Sequence, residues 1–367
     1  MGVADLAEYP WDAIAPYAAR ARAHPDGIVD LSIGSPVDAT PAVVRDALTA
    51  ATDAHAYPQT VGTPALRAAI ADWYARRRGV PGLTSAQIVP TVGSKELVAL
   101  LPLLLGVGPG DVVVHPRAAY PTYEVGARLV GATPLAGDDP AGWPVGTRLI
   151  WLNSPGNPDG RVRDIRSLQT AVARARELGA VIAGDECYAE LGWDGPWDTE
   201  PIPSILDPRV VGAEPAGVLS VYSLSKQSNL AGYRAAFVAG DRALTEALVT
   251  ARKHLGLMVP APVQAAMAAA LGDDAHVAGQ KALYRHRRDL LKPAVEAAGF
   301  RIDGSEAGLY LWATEGRDAW ESIDRLAELG ILAGPGHFYG ADFPQHIRLS
   351  LTAADERVAA AASRLRS

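Results

Sequence analysis

At 367 residues the chain is too long for one ordinary hydrophobic core and long enough for two lobes. Hydrophobic residues make up 49% and charged residues 20%, the balance of a globular protein, and a formal net charge of -7 excludes the strong basic field that holds nucleic acid or an anionic membrane. Cys187 is the one cysteine, which excludes an intrachain disulfide framework and predicts a reducing compartment, the cytoplasm.

Residues 1–16 mix Asp5, Glu8 and Asp12 with aromatics and lack a basic start followed by an apolar run, so they do not read as a signal peptide. No stretch reaches the roughly 18 uninterrupted apolar residues of a membrane helix. The first thirty or so residues carry no sheet pattern and are expected to pack with a C-terminal lobe. From there on short apolar runs alternate with helical periodicity. Helices are predicted over 64–78, 95–105, 164–178, 242–255 and 263–271, with a long amphipathic stretch over 277–298. Strands are predicted over 111–115, 148–153, 180–185, 218–223 and 235–239. Strands separated by helices imply a mostly parallel sheet covered on both faces. After about residue 270 short strands around 300–302, 309–313 and 347–351 and a final helix imply a smaller α+β lobe.

Thr91-Val92-Gly93-Ser94-Lys95-Glu96 precedes an apolar helix; Gly93 permits close backbone approach, and amides at a helix start bind phosphate. It is not a nucleotide P-loop, because the glycine spacing and the Lys-then-Ser/Thr order are absent. Gly106-Val107-Gly108-Pro109-Gly110 precedes a strand instead of following one and reads as a turn. Tyr120-Pro121-Thr122-Tyr123 offers an aromatic face for a planar ring. The turn formers from Ser154 to Gly160 fix a sharp loop, and Asn157-Pro158 suits a cis bond.

Asp185 closes a buried strand where ligands of open α/β sheets collect. A carboxylate there is costly unless it meets a cation or metal, and a protonated pyridine nitrogen would serve; capping of the next element is the alternative. Tyr188 follows three residues on. Of the five lysines, Lys253, Lys281 and Lys292 fall on helical faces among other charges, and Lys95 starts a helix. Lys226 lies just past an apolar strand, within Ser223-Leu224-Ser225-Lys226 and shortly before Gly232-Tyr233-Arg234. Desolvation at that position lowers a lysine pKa toward the neutral amine a nucleophile needs, while two hydroxyls and an arginine can grip a phosphate. Arg348, in an otherwise apolar strand, suits bidentate capture of a carboxylate, or equally an edge position facing water. The histidines show no metal-ligand spacing, so no metal site is expected.

These motifs together resemble the class I and II pyridoxal-5′-phosphate (PLP) aminotransferases of the aspartate aminotransferase fold. The likeness spans nearly the whole chain. It runs from Leu31-Ser32-Ile33-Gly34-Ser35-Pro36 through Tyr57, Gly62 and Leu66-Arg67 to Gly93-Ser94-Lys95-Glu96. It continues through Tyr120-Pro121-Thr122-Tyr123, Asn157-Pro158-Asp159-Gly160 and Asp185-Glu186-Cys187-Tyr188 to Ser223-Leu224-Ser225-Lys226 and Arg348-Leu349-Ser350. The resemblance implies an α/β fold of type I, with a seven-stranded, mostly parallel sheet in a large PLP-binding domain over residues 35–270. A small α+β domain over 271–367 and an N-terminal segment over 1–34 packed on it complete the expected organisation. It also implies roles. Lys226 is the Schiff-base lysine and proton carrier, and Asp185 is the partner of the pyridine nitrogen. Asn157 and Tyr188 hold the phenolate oxygen, and Tyr120 stacks on the ring. The Gly93, Ser94 and Lys95 backbone, Ser223 and Arg234 bind phosphate, joined by Tyr57 of a second subunit. Arg348, helped by the Gly34 backbone and Asn157, grips the substrate α-carboxylate. A homodimer with shared active sites follows, acting on amino and 2-oxo acids.

Within the family, Ser225-Lys226-Gln227-Ser228-Asn229-Leu230-Ala231-Gly232-Tyr233-Arg234 is similar to the N-succinyldiaminopimelate aminotransferases of lysine biosynthesis, implying transfer between N-succinyl-LL-2,6-diaminopimelate and 2-oxoglutarate. Asp159 before Gly160 departs from the usual Thr-Gly of the family. Aromatic, kynurenine or aspartate aminotransferases and C–S β-lyases share the cofactor and remain as alternatives. A PLP-sensing regulatory module is disfavoured, because the fold's motifs begin by Leu31 and the charge is acidic. For the substrate side chain, Arg and Tyr residues of the N-terminal segment and His337-Phe338-Tyr339 are expected pocket liners, the 334–340 loop being alternatively a plain surface turn.

Overall fold

The computed structural model describes residues 10–366. Residues 1–9 of the expected N-terminal segment lie outside the described residues.

Seven strands form the central sheet, in the order Ile88–Val92, Ala235–Gly240, Val218–Ser223, Val181–Asp185, Thr147–Asn153, Val112–His115 and Thr133–Ala136. All run the same way except Ala235–Gly240, which is antiparallel to both of its neighbours. Alternation along the strands divides the side chains between two faces. Leu149 and Trp151 enter one core with Val113, Ala183 and Leu219, beneath the helices Ser94–Leu104, Thr122–Leu129 and Arg242–Leu255. Ile150 and Leu152 enter the other with Val114, Ile182 and Phe237, beneath Pro64–Arg77, Ile165–Leu178 and Ala261–Leu271. The fold is therefore the mostly parallel, helix-covered sheet the alternation predicts. Both edge strands escape that prediction for one reason. Pro90 and Pro134 lie inside them, and proline reads as a strand breaker in sequence although an edge tolerates it.

Local signals fix the helix ends. Asp164 accepts the amide of Ser167 at 2.7 Å, and Asp241 accepts those of Ala243 and Leu244 at 2.7 and 3.2 Å. Gly179 and Gly256 close the same two helices in the left-handed conformation.

The C-terminal part builds a second sheet, Gly334–Pro335, His346–Ser350, Tyr310–Thr314 and Arg301–Ile302 in that order. It shares a core with the helices Asp274–Ala297, Ala319–Glu328 and Asp355–Arg364. Described residues of the N-terminal segment pack against these elements. Val29–Asp30 pairs in parallel with Ile331–Leu332, and the helix Ala15–Arg22 packs on Ala319–Glu328. Buried Arg287 ties both ends of the chain together, donating to Asp38 at 2.8 and 2.5 Å and to Asp355 at 2.6 Å. Among the described residues no helix is long and apolar enough to cross a membrane, and no group of three or more His, Cys, Asp or Glu could hold a metal ion.

Candidate active site

Three neighbouring strands end at the same edge of the large sheet with Asn153, Asp185 and Ser223, and each continues into a short segment bearing chemistry. After Asn153 the loop carries two cis bonds, Ser154–Pro155 and Asn157–Pro158. The Asn153 side chain braces it, accepting the Asn157 amide at 2.7 Å and donating to the carbonyls of Pro155 and Asp185 at 3.0 Å. After Ser223 a single helical turn, Leu224–Gln227, is capped by Ser223 Oγ, which accepts the Ser225 amide at 3.2 Å and donates to Ser225 Oγ at 2.9 Å.

Lys226 rides on that turn. Its Nζ donates to the Gly34 carbonyl, which brings the N-terminal segment over the sheet edge. Burial holds the amine below the ordinary lysine range; Arg348 and Arg234 push the same way, while Tyr310 and Cys187 resist. A lysine so placed spends part of its time as a neutral amine, the form that attacks a carbonyl.

Asp185 is 8% exposed. Its Oδ2 accepts the Tyr123 hydroxyl at 2.8 Å and its Oδ1 the Cys187 amide at 3.2 Å. Burial nevertheless raises its pKa, against these hydrogen bonds. A carboxylate so placed is one that a cation would stabilise. Cys187 sits between the two key groups: its thiol is pushed up by burial, further raised by Asp185, and lowered by Ser94 and Lys226.

Groups able to hold an anion gather beside them. Gly93 adopts φ 76° as N-cap of Ser94–Leu104, and its amide donates to the Arg234 carbonyl at 2.8 Å. A Cβ at Gly93 would collide with the Arg234 guanidinium, so only glycine lets that arginine lie against the helix start. The helix amides, Ser223 and Arg234 make a cradle for a dianion. The Lys95 side chain is exposed, its ammonium 5.9 Å from the Tyr120 ring centroid.

Arg348 is not an edge residue. Its strand lies between Gly334–Pro335 and Tyr310–Thr314, and it is 3% exposed. Nη1 donates to Asn157 Oδ1 at 2.9 Å and Nη2 to the Ser32 carbonyl at 2.7 Å. The guanidinium lies between two aromatic rings, 3.9 Å from the Tyr310 centroid and 4.8 Å from that of Tyr339. Tyr188 completes the group, its hydroxyl 3.2 Å from that of Tyr310.

The expected residues Lys226, Asp185, Tyr188, Asn157, Arg348, Gly34, Gly93, Ser94, Lys95, Tyr120, Ser223 and Arg234 thus fall around one sheet edge. Tyr57 does not join them; it is 94% exposed on the loop before Pro64–Arg77. Of the expected side-chain liners, Phe338 and Tyr339 are buried, so 334–340 is not a plain surface turn. Tyr17 stacks on Trp320 and Arg20 pairs with Asp324, so both are engaged within the small lobe. Tyr123, Tyr310 and Ser32 are additional members of the site, and the expected liner Tyr339 meets Arg348. Tyr123 lies inside a motif that suggests only ring stacking, and Tyr310 sits in an apolar run with no local signal of a site.

A family model described as aminotransferase class I and II matches residues 26–365. The chain is 55% identical over 364 residues to the 4-dedimethylamino-4-oxo-anhydrotetracycline transaminase OxyQ of Streptomyces rimosus, covering 98% of this chain and 99% of that one. It is 35% identical to an LL-diaminopimelate aminotransferase of Desulforudis audaxviator, covering 99% and 96%. Among solved structures, a probable N-succinyldiaminopimelate aminotransferase of Thermus thermophilus superposes with TM-score 0.86 at 28% identity, covering 98% and 99%, and an aspartate aminotransferase double mutant of the same organism with TM-score 0.88 at 25% identity, covering 100% and 99%. The chain belongs to the class I and II aminotransferases, PLP-dependent enzymes that act on amino and 2-oxo acids.

Proposed function

We propose that the chain is an N-succinyl-LL-2,6-diaminopimelate:2-oxoglutarate aminotransferase. One observation carries the choice of an α-amino acid substrate: Arg348 is buried, fixed on Asn157 and Ser32, and clamped between two rings, an expensive arrangement that a carboxylate would repay. The diaminopimelate class is supported by the 35% identical relative and by the Thermus thermophilus neighbour, whose names carry that substrate.

The residues of the site fit PLP. The cofactor supplies an electron sink that stabilises negative charge at the substrate Cα. We assign Lys226 as the residue that would hold the cofactor covalently and whose amine would take and return the substrate's Cα proton. Asp185 keeps the ring nitrogen protonated, Tyr188 and Asn157 hold the phenolate oxygen, and Tyr120 covers the ring. Gly93, Ser94, Lys95, Ser223 and Arg234 bind the phosphate through backbone amides, a hydroxyl and a guanidinium. Arg348, with Asn157 and the Gly34 segment, orients the α-carboxylate so that the Cα–H bond faces Lys226. Tyr57, exposed in one copy, is assigned to the phosphate site of a second, which makes a homodimer the working unit. In this reading residues 35–270 form the PLP-binding domain and 271–367 the small domain, with the N-terminal segment 1–34 packed on it.

A second reading takes its support from the 55% identity to OxyQ: amination of a polycyclic ketone. One coupled assay separates the two. With N-succinyl-LL-2,6-diaminopimelate and 2-oxoglutarate, glutamate is expected to form at least tenfold faster than with unsuccinylated LL-diaminopimelate, aspartate or kynurenine. Glutamate consumption with 4-dedimethylamino-4-oxo-anhydrotetracycline, and none formed from the succinylated amine, would replace the first reading by the second.

A further inference from the structure

Tyr310 is absent from the roles assigned above, yet it touches three of their bearers. Its hydroxyl lies 3.2 Å from that of Tyr188, in a buried contact where either oxygen can donate. Its ring carries the Arg348 guanidinium at 3.9 Å. A Cβ on Gly34 would run into the same hydroxyl, so Gly34 is small where Tyr310 needs room. The strand register holds the residue in place, pairing Tyr310 with Ser350, whose amide neighbourhood is tied to the 31–33 segment.

We propose that the Tyr310 hydroxyl is a positioning group for Tyr188, fixing the direction in which the Tyr188 proton points and making it a stronger donor to the cofactor's phenolate oxygen. The inference rests on the PLP chemistry of the family and not on the identity of the amino acid substrate. A phenol has one proton. When Tyr188 commits its own to the phenolate, the contact with Tyr310 persists only if Tyr310 donates. A donated hydrogen bond polarises the Tyr188 O–H and strengthens the bond it makes in turn. The surroundings favour that direction. Burial resists ionisation of Tyr310, but the charges of Arg348 and Lys226 and the hydrogen bond shared with Tyr188 hold its phenol below the ordinary tyrosine value; the two positive charges improve it as a donor. Tyr188, by contrast, is held well above the ordinary value by burial and by Tyr310, with Cys187 adding to this and Arg348 opposing it. The groups facing the pair are therefore Arg348 from the small-lobe strand, Lys226 from the capped turn and Cys187 from the loop after Asp185.

The consequence appears without any substrate. A hydrogen bond to the phenolate oxygen withdraws negative charge from the neighbour of the lysine-bound nitrogen, so that nitrogen releases its proton at lower pH. The readout is the pH midpoint of the visible absorption band of the substrate-free holoenzyme. Tyr310→Phe keeps the ring on Arg348 and removes the oxygen alone. It is expected to raise the midpoint by about half a unit to one unit, roughly a three- to tenfold gain in proton affinity. Tyr188→Phe is expected to raise it by more, and the double variant Tyr188→Phe/Tyr310→Phe to match Tyr188→Phe alone, because the oxygen at 310 acts through the one at 188. An unchanged midpoint in Tyr310→Phe overturns the proposal. So does a double variant in which the two shifts add, which would mean that Tyr310 acts on Lys226 directly. Thermal melts of the three variants, expected within a few degrees of the parent, separate these results from loss of the fold.

Discussion

Tyr123 reaches across from the first turn of the helix Thr122–Leu129 to donate its hydroxyl to Asp185 Oδ2, 2.8 Å away, beneath the edge where the strand Val181–Asp185 ends. Both residues are buried, and the tyrosine ring lies on Trp151 with centroids 5.1 Å apart. The contact holds a carboxylate at a fixed angle in a place where water cannot solvate it. Asp185 keeps a raised pKa even so, because desolvation outweighs the donors it has.

Replacing Asp185 by Asn therefore has opposite effects on folding and chemistry. Asp185 holds its proton to higher pH in the folded protein than in the unfolded chain. Its contribution to stability is accordingly most favourable in acid, falls as pH rises from about 3.9 toward the raised folded value, and is flat above it. Asp185→Asn removes that slope. Cofactor-free Asp185→Asn is expected to be about 1–3 kcal/mol more stable than the parent at neutral pH, while kcat falls by about a thousandfold or more. Urea melts across pH 3–7 and steady-state kinetics check both halves; a destabilised variant at neutral pH would show that the carboxylate is not a buried charge awaiting a partner.

Lys226 gives the complementary pH signature. Burial depresses its folded pKa, so between that value and about 10.4 the unfolded chain binds more protons than the folded one. Stability of the cofactor-free protein is then expected to rise with pH through this window, and Lys226→Ala to lack that rise. The same variant is expected to lose the pH-dependent visible band of the covalently held cofactor. Retention of covalent PLP in Lys226→Ala would remove the assignment on which the mechanism rests.

Much of this was legible in the sequence because a parallel sheet concentrates function at strand ends. Asp185 and Lys226 follow apolar runs, so their position in the fold could be read from hydrophobic pattern alone. Gly93 before an apolar helix was legible for the same reason. Tyr310 was not, since a tyrosine within an apolar strand looks like ordinary core until its neighbours across the fold are known. Tyr310 faces Tyr188 across 122 residues of chain. Ser32 contributes a backbone carbonyl to Arg348, a function that no side-chain pattern encodes. The edge strands carrying Pro90 and Pro134 were hidden because proline's missing amide matters only where a neighbour would have used it.

Gly93 tests the cradle independently of catalysis. Alanine there must hold φ near 76°, which costs about 1–2 kcal/mol for a residue with a Cβ, and its methyl group displaces the Arg234 guanidinium. Gly93→Ala is expected to fold with a modest loss of stability, about 1–2 kcal/mol, but to bind PLP at least about tenfold more weakly, through loss of a charge-assisted phosphate contact. Titration of the cofactor-free protein with PLP, followed by absorbance, gives the dissociation constant. Unchanged affinity would mean that the phosphate lies elsewhere.

Arg348→Lys tests whether charge or shape is recognised at the far side of the site. Lysine preserves the charge but cannot donate at once to Asn157 Oδ1 and the Ser32 carbonyl while offering two parallel N–H groups to a carboxylate. Nor does an ammonium fill the flat slot between Tyr310 and Tyr339. Loss of one partner from a buried, hydrogen-bonded charge pair costs about 2–5 kcal/mol, so KM for the amino acid and for the oxo acid is expected to rise by about a hundredfold each. The visible band of the resting holoenzyme is expected to remain, because Arg348 is assigned to the substrate and not to covalent attachment of the cofactor. The two half-reactions, measured separately by stopped flow, give the two affinities. A rise in one and not the other would mean that the two substrates place their carboxylates on different groups, which a single buried arginine with one fixed orientation does not allow.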